Sequence, residues 1–530
     1  MCGIAVAIDW EGAEHAVARL IEGILHRGDV TDPIVSPRPN TAMCTRRLRI
    51  VDAENAVQPQ ISSDGRLCVS FNGEIYNYVA LRAELEGLGI EFDTESDTEV
   101  LANALQVWGA KALERISGMY AFVAIDTESG EFLAARDPFG VKPLYVIQSE
   151  TGFLFCSEIR PLLKAAEKGD VLLLPPGYLL TRKFCARYRT LANPSYELLS
   201  QGSPRELDRL LSEAVRLRLP TDLPFATMLS GGIDSTLIAH YARQYRPEAP
   251  GYFLGDKTAP DYIYAARFAE QNGIDLRIVP FGADKPDTFS LIEQVVDTVE
   301  TFEPSVIANG VCTYVLARKI SQDGFRVALC GEGADELFAG YATLETVFAQ
   351  GNAIGRPVRE ECLGLMNRTN LQRVDRCTMR FGIETREPFL DRSVVEYALN
   401  LDATALVRED GGRLMGKMPL RAIYDLHSDR LPAMIRDRKK IPFDEGTGLD
   451  TGRADSAWAA YFDRAISHSD LQDGMREFSP FDIHTKEELY YLRHLSQTMD
   501  ISRVPHLCGR TRVMLPTTEH PAERGKKAAA

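Results

Sequence analysis

The stretch that most constrains this chain is residues 229–236, which read LSGGIDST. The apolar run before it, residues 224–229, has the length and bulk of a buried strand, and the apolar residues after Thr236 open a helix. A strand, a Ser-Gly-Gly turn and a helix direct backbone N–H groups and the positive helix end at one point, which makes an anion site. Gly231 and Gly232 leave no Cβ against a phosphate, Ser230, Ser235 and Thr236 offer hydroxyls, and Asp234 can hold magnesium between phosphates. No lysine follows the glycines, so this is not the GxxxxGK[ST] loop. By itself, a Gly-Gly pair after a strand is more often an ordinary turn.

The surrounding pattern supports a sheet. After a capping box at Ser203-Pro-Arg-Glu206 and a helix to about 217, strand patterns at 225–229, near 252, at 276–280 and at 326–329 alternate with helical ones at 235–245, 261–272 and 311–323. That alternation predicts a doubly wound parallel sheet, with ligands at the carboxyl ends of its strands. A second Gly-rich turn, Gly331-Glu-Gly-Ala-Asp-Glu336, falls at such an end. Its three carboxylates repel one another and call for a cation.

At 530 residues the chain exceeds the ~250–300 at which single cores stop growing, so further domains are expected. The first half is strand-rich: 3–8, 46–52, 67–71, 119–126, 131–136, 144–147 and 153–157 read as strands, and Ser96-Asp-Thr-Glu99 as a capping box opening a helix to Trp108. Cys2, with Met1 removed, would carry a free α-amine beside its thiol, nucleophile and base in one residue. A randomly chosen cysteine is far more often a small buried hydrophobe. The amide of Asn72 and the backbone N–H of Gly73 could form an oxyanion hole.

The net charge of −15 argues against nucleic acid or an anionic membrane as partner. No apolar run reaches the ~18 residues of a membrane span, and no signal-peptide pattern opens the chain. Ten cysteines are scattered without a CxxC pair, which suits a reducing cytoplasm and indicates neither zinc nor disulfides. The expected division is 1–185, a linker at 186–203, a second domain at 204–508 and a disordered tail at 509–530.

MCGI, RLRIVD, Gln58-Pro59, NGEIYN, SDTEV, ARDPFGVKPLY and CSE, in that order, resemble the class II glutamine amidotransferases. The resemblance implies an αββα Ntn-hydrolase sandwich in which Cys2 attacks the glutamine amide and Asn72 and Gly73 stabilise the oxyanion. Arg47 would pair with the glutamine α-carboxylate, and Glu74 and Asp97 with its ammonium. One departure is His26-Arg-Gly-Asp-Val30, where the family reads HRGPD.

The second half resembles the ATP pyrophosphatases, and among them the glutamine-hydrolysing asparagine synthetases. That implies an ATP-pyrophosphatase domain with added helices, ATP as substrate and Mg2+ as cofactor. Leu229, Ser230, Gly231, Gly232, Asp234, Ser235, Thr236 and Gly331 would bind ATP and pyrophosphate, and Asp234 and Asp335 the metal. Glu332 would lie near the reacting centre, Glu384 and Arg386 near the acceptor, and Lys440 against the phosphorus in flight. Lys417 and Arg421 match a family helix and read as structural. Where the synthetases continue Arg-Ala-Ser-Thr-Pro, this chain has Ala308-Asn-Gly-Val-Cys312, so a cation expected near the activated carboxylate is missing. The expected activity is amidation of a carboxylic acid, aspartate by default, with ammonia crossing an internal tunnel. The alternatives are the same chemistry on a specialised acid, or an impaired homologue acting as a binding protein. The resemblance also allows a homodimer. A β-lactam-forming synthetase has no need of Cys2 with Asn72-Gly73, and a stand-alone hydrolase no need of Asp234 and the acidic turn.

Overall fold

The computed structural model describes residues 2–189, 202–283, 285 and 287–504; the expected tail and most of the expected linker lie outside them. The first half is two antiparallel sheets face to face. In one, Cys2–Ile8 is hydrogen-bonded between Phe153–Cys156 and Thr41–Arg47. In the other, Leu67–Ile75 pairs along its whole length with Gly118–Asp126, which in turn pairs with Phe132–Arg136.

Period-two alternation sorts the side chains. Ile4, Val6 and Ile8 meet Met43, Val123 and Ile125 between the sheets. Ala5, Ala7 and Cys44 turn outward and are small enough to seat the helices Ala13–Gly23 and Ile159–Ala165. On the far sheet, Val69 and Phe71 are covered by Tyr78–Gly87 and Asp97–Trp108. This is the αββα sandwich. Ser96 caps the second of these helices, its Oγ accepting the Glu99 N–H at 3.1 Å, but the Glu99 carboxylate bonds the N–H groups of Asp93 and Thr94 instead of closing a capping box. The first sheet's strand ends at Arg47, short of the expected 46–52. The second sheet runs on through Cys185–Arg187, and the Tyr188 hydroxyl donates to the Arg136 carbonyl at 2.8 Å, just past the expected domain boundary.

The second half holds five parallel strands in the order Leu276–Val279, Gly251–Leu254, Phe225–Met228, Val327–Leu329, Glu384–Arg386. The direction of winding reverses between Phe225–Met228 and Val327–Leu329, and at such a switch point the loops part and leave a crevice. Both Gly-rich turns lie there. The edge strand Glu384–Arg386 was not anticipated: three residues are too few to show a period. The helix expected at 311–323 is Pro304–Gln322, with Pro304 in its first turn, so residues 308–312 are helical. Ala308 and Cys312 are buried, and a Cβ at Gly310 would come within 2.8 Å of Val295 Cγ1; the small residues there let this helix pack on Ile292–Val299. Added helices follow, and near the end of the described chain Arg503 donates to the Gly169 carbonyl at 2.8 Å, tying the last turn to the first domain. Among the described residues every cysteine is a free thiol, and no helix is long and apolar enough to cross a membrane.

Candidate active sites

Cys2 begins the central strand of its sheet and lines a small cavity with Arg47, Gly73, Glu74 and Asp97. Its backbone N–H donates to Asn72 Oδ1 at 3.0 Å. That orientation leaves Asn72 Nδ2 buried with no hydrogen-bond partner in the protein. Asn72, Gly73 and Glu74 belong to the strand Leu67–Ile75 and do not follow it as expected. Gly73 is required by packing, since a Cβ there would collide with the Met119 carbonyl. Burial pushes the Cys2 thiol up, so attack needs a base beside it.

Arg47 pairs across the sheet with Cys2, but its guanidinium is held by Asp32, Nε to Oδ2 at 2.9 Å and Nη2 to Oδ1 at 3.2 Å. Asp32 lies just past the altered HRGDV run, so the departure in that loop and the setting of Arg47 are connected. Asp97 accepts the Ile75 N–H at 2.9 Å.

Glu384 and Arg386, expected near the acceptor, come against this cavity: Arg386 reaches Glu74 of the first domain and Glu384 pairs with Arg386. Their strand is the sheet edge that faces the first domain, and alternate positions along a strand, here 384 and 386, point the same way. Arg386 Nη2 lies 3.2 Å from Glu74 Oε2, and Arg386 Nε 2.6 Å from Glu384 Oε1. Glu74, Asp97 and Glu384 therefore crowd one buried place. Burial alone would raise the Glu384 carboxyl; the amino-terminal charge first, then Arg386 and Lys142, hold it below the usual carboxylate range. Burial together with Asp97 and Glu384 pushes Glu74 up to about 8, against the pull of Arg386. A cluster of this kind has room for one more cation.

The second site is the switch-point crevice. Gly331 abuts the start of the helix Ile233–Tyr245, where a Cβ would come within 2.8 Å of Asp234 Cβ. Gly231 sits at φ 80°, and a Cβ would meet the Ala265 nitrogen at 2.5 Å; its need for glycine comes from packing and backbone conformation, while a Cβ at Gly232 would make only an ordinary contact with Ser230 Oγ at 3.5 Å. Ser230 and Ser235 share a hydroxyl contact at 3.1 Å in the crevice. Leu229 is fully buried core. Thr236 does not supply the expected phosphate donor: its fully buried hydroxyl bonds the Gly232 carbonyl at 2.7 Å and the Tyr424 hydroxyl.

Asp234 and Asp335 face each other, but the cation between them is Lys417, whose Nζ is 2.6 Å from each. Lys440 Nζ is 3.1 Å from the other oxygen of Asp335. Burial would raise Asp335; the two lysines hold it below the usual carboxylate range. Lys417, expected as a structural residue, is thus the charge partner of both carboxylates. Its sequence signal, one lysine opening an amphipathic helix, is too common to separate it from surface lysines. Glu332 is paired with Arg373, a buried cation on the helix Asn370–Met379. Residues 308–312 hold no cation, but the helix packed against theirs, Asn370–Met379, brings Arg373 to the acidic turn.

That helix also joins the two sites. Asp375 binds Arg27 Nη2 at 2.9 Å and lies 3.7 Å from Lys142 Nζ, while Arg27 Nε donates to the Cys2 carbonyl at 3.1 Å. Arg27, Lys142 and Asp375 are all buried.

An amino-terminal cysteine cavity on an αββα sandwich, joined to a doubly wound sheet, defines a two-domain amidotransferase, and residues 1–172 match the model of a glutamine amidotransferase domain. Residues 206–360 and 358–477 match that of asparagine synthase. The chain is 30% identical over 543 residues to the probable glutamine-hydrolysing asparagine synthetase of Schizosaccharomyces pombe, covering 93% of each chain. It is 29% identical over 515 residues to asparagine synthetase 1 of Arabidopsis thaliana, covering 93% of this chain and 85% of that one. The nodule asparagine synthetase of Pisum sativum matches at 29% over 523 residues, with 93% and 85% covered. The chain belongs to the glutamine-hydrolysing asparagine synthetase family, whose members are carbon–nitrogen ligases.

Proposed function

We propose that this chain transfers the amide nitrogen of glutamine to a carboxylic acid, aspartate by default, at the expense of ATP. At the first site Cys2 attacks the glutamine amide, Asn72 Nδ2 and the Gly73 N–H receive the oxyanion, and ammonia leaves. Water then releases glutamate from the thioester. Glu74, Asp97 and Glu384 hold the substrate ammonium, and Arg47 its carboxylate. Removal of Met1 supplies the α-amine that takes the thiol proton.

At the second site the acceptor carboxylate attacks the α-phosphorus of ATP, giving an acyl-adenylate and pyrophosphate; ammonia then displaces AMP. Ser230, Ser235 and the loop N–H groups hold the pyrophosphate end, and Lys440 offsets the developing charge. The residues present fit magnesium. Asp234 Oδ1 is buried without a partner, and among the described residues no further His, Cys, Asp or Glu completes a protein cage, which suits an ion that draws its other ligands from phosphate and water. Asp234 and Asp335 would hold it, and when bound it supplies neutralisation of the leaving pyrophosphate.

The observation that carries this reading is the helix Asn370–Met379, which pairs Arg373 with Glu332 in one site and Asp375 with the arginine that holds Cys2 in the other. Two centres sharing one buried helix suit the passage of ammonia across a dry interface. The test is mass spectrometry of the product from ATP, aspartate and glutamine labelled with 15N at the amide. Labelled asparagine with one pyrophosphate per amide supports it. Pyrophosphate and amide formed only with another acid would reassign the acceptor, a reading favoured by the changed residues 308–312. No pyrophosphate with any acid would leave a binding protein.

A further inference from the structure

The place between Asp234 and Asp335 is built for a lysine. Lys417 is 3% exposed and stands at φ 58°, in the left-handed region that favours glycine, and its N–H donates to the Phe338 carbonyl at 2.8 Å. The residue before it, Gly416, donates to Glu345 Oε1 at 2.7 Å and accepts from Arg421 Nε at 2.9 Å. The lysine stem passes Gly340, where a Cβ would collide with both Lys417 Cε and Asp335 Oδ1. Strained backbone, a glycine pass and a clamped neighbour all serve one ammonium position.

We propose that Lys417 is the resident counter-ion of the nucleotide-free site and keeps a bare divalent cation out until nucleotide arrives with it. This rests on the reading that Asp234 and Asp335 hold the metal. Two carboxylates with Lys417 and Lys440 already sum to zero charge, and an ammonium and a divalent ion cannot share the same oxygens, because like charges at that separation repel strongly in a buried site. A bare divalent ion would leave the site with excess positive charge. A metal–nucleotide complex brings its own phosphates, which give Lys417 a new partner as it yields the carboxylates. Lys417 lines the cavity beneath the phosphate loop together with Ser230, Gly232 and Lys440, so that partner lies within the reach of its side chain. The lysine thereby imposes an order of loading and spares the free enzyme an idle metal.

The experiment titrates Mn2+ into the full-length protein, with and without α,β-methylene-ATP, and reads free Mn2+ by electron paramagnetic resonance. Wild type should bind Mn2+ at this site only with the nucleotide. Lys417→Met should bind Mn2+ without nucleotide at least about tenfold more tightly than wild type, and Mn2+ should raise its melting temperature; adding Asp335→Asn should remove both effects. Lys417→Arg, which keeps the charge, should behave as wild type. Nucleotide-free wild type binding Mn2+ as tightly as Lys417→Met, or a Lys417→Met protein that folds and binds Mn2+ only with nucleotide, overturns the proposal while leaving the metal site in place. A protein that takes no Mn2+ in any form, even with the nucleotide analogue, overturns the metal reading as well.

Discussion

Arg27 and Asp375 meet at 2.9 Å across the boundary between the two domains, with side chains 0% and 2% exposed. Arg27 comes from the turn after the first helix of the amidotransferase domain and also holds the Cys2 carbonyl. Asp375 stands two residues from the arginine that holds Glu332. Asp375→Ala leaves a buried arginine with one carboxylate fewer, and roughly 3–5 kcal/mol of stability should be lost. Urea unfolding measures it. The amide formed per glutamine hydrolysed should fall below that of wild type; an unchanged ratio at unchanged stability would show that this pair does not join the sites.

Cys2→Ala removes the nucleophile and leaves the second site intact. Glutamine-dependent amide formation should fall on the order of 10³-fold or more, while formation from ammonium chloride persists. Equal loss with both nitrogen sources would show that Cys2 acts through structure.

Asn72→Ala deletes the unpartnered Nδ2. Glutaminase kcat should drop by about 10²–10³, with KM changing much less, because the donor is used only when the oxyanion forms. A rise in KM alone would make Asn72 a substrate contact.

Glu74 is raised to about 8, so in the empty site it carries a proton at pH 7. A carboxyl raised on folding binds its proton more tightly in the folded state. Its contribution to stability is full below the ordinary carboxylate pKa and is lost as pH climbs through about 8. Glu74→Gln should therefore flatten the decline of stability between pH 5 and pH 8 (on the order of 1 kcal/mol per pH unit). If glutamine supplies the missing cation, its binding to Cys2→Ala at pH 7 should expel a proton. Calorimetry in buffers of different ionisation enthalpy reads that proton, and none released would place the ammonium elsewhere.

Thr236→Val should cost about 1–3 kcal/mol of stability, since it strips a buried hydroxyl from two partners, with little change in ATP affinity. Ser235→Ala should do the reverse. An ATP affinity that falls with Thr236→Val and holds with Ser235→Ala would restore the threonine as a phosphate ligand.

What was readable in advance follows a simple division. The switch-point loop, the acidic turn, Cys2 and the NGE run are contiguous, and each carries its chemistry within a few neighbouring residues. The parts misplaced are those whose chemistry is completed by distant residues. Glu384 and Arg386 lie in a three-residue strand, and only its packing against the first domain brings Arg386 to Glu74. Thr236 stands beside the residues expected to bind phosphate, yet the helix turns its hydroxyl toward Tyr424. Lys417 stands just ahead of an ordinary amphipathic helix and Arg373 lies within another among further charges, and no local pattern separates either from surface cations.

The order of residues alone determined the two domain types and the loops that carry the reactive groups, because backbone turns, periodicity and a nucleophile beside the amino terminus are local properties. The tertiary structure decided which charges face one another: Glu384 against Glu74, Lys417 between Asp234 and Asp335, Arg27 on Asp375. Buried charges are stable only in company, and the company is assembled from segments far apart in the chain, where no local pattern records the pairing.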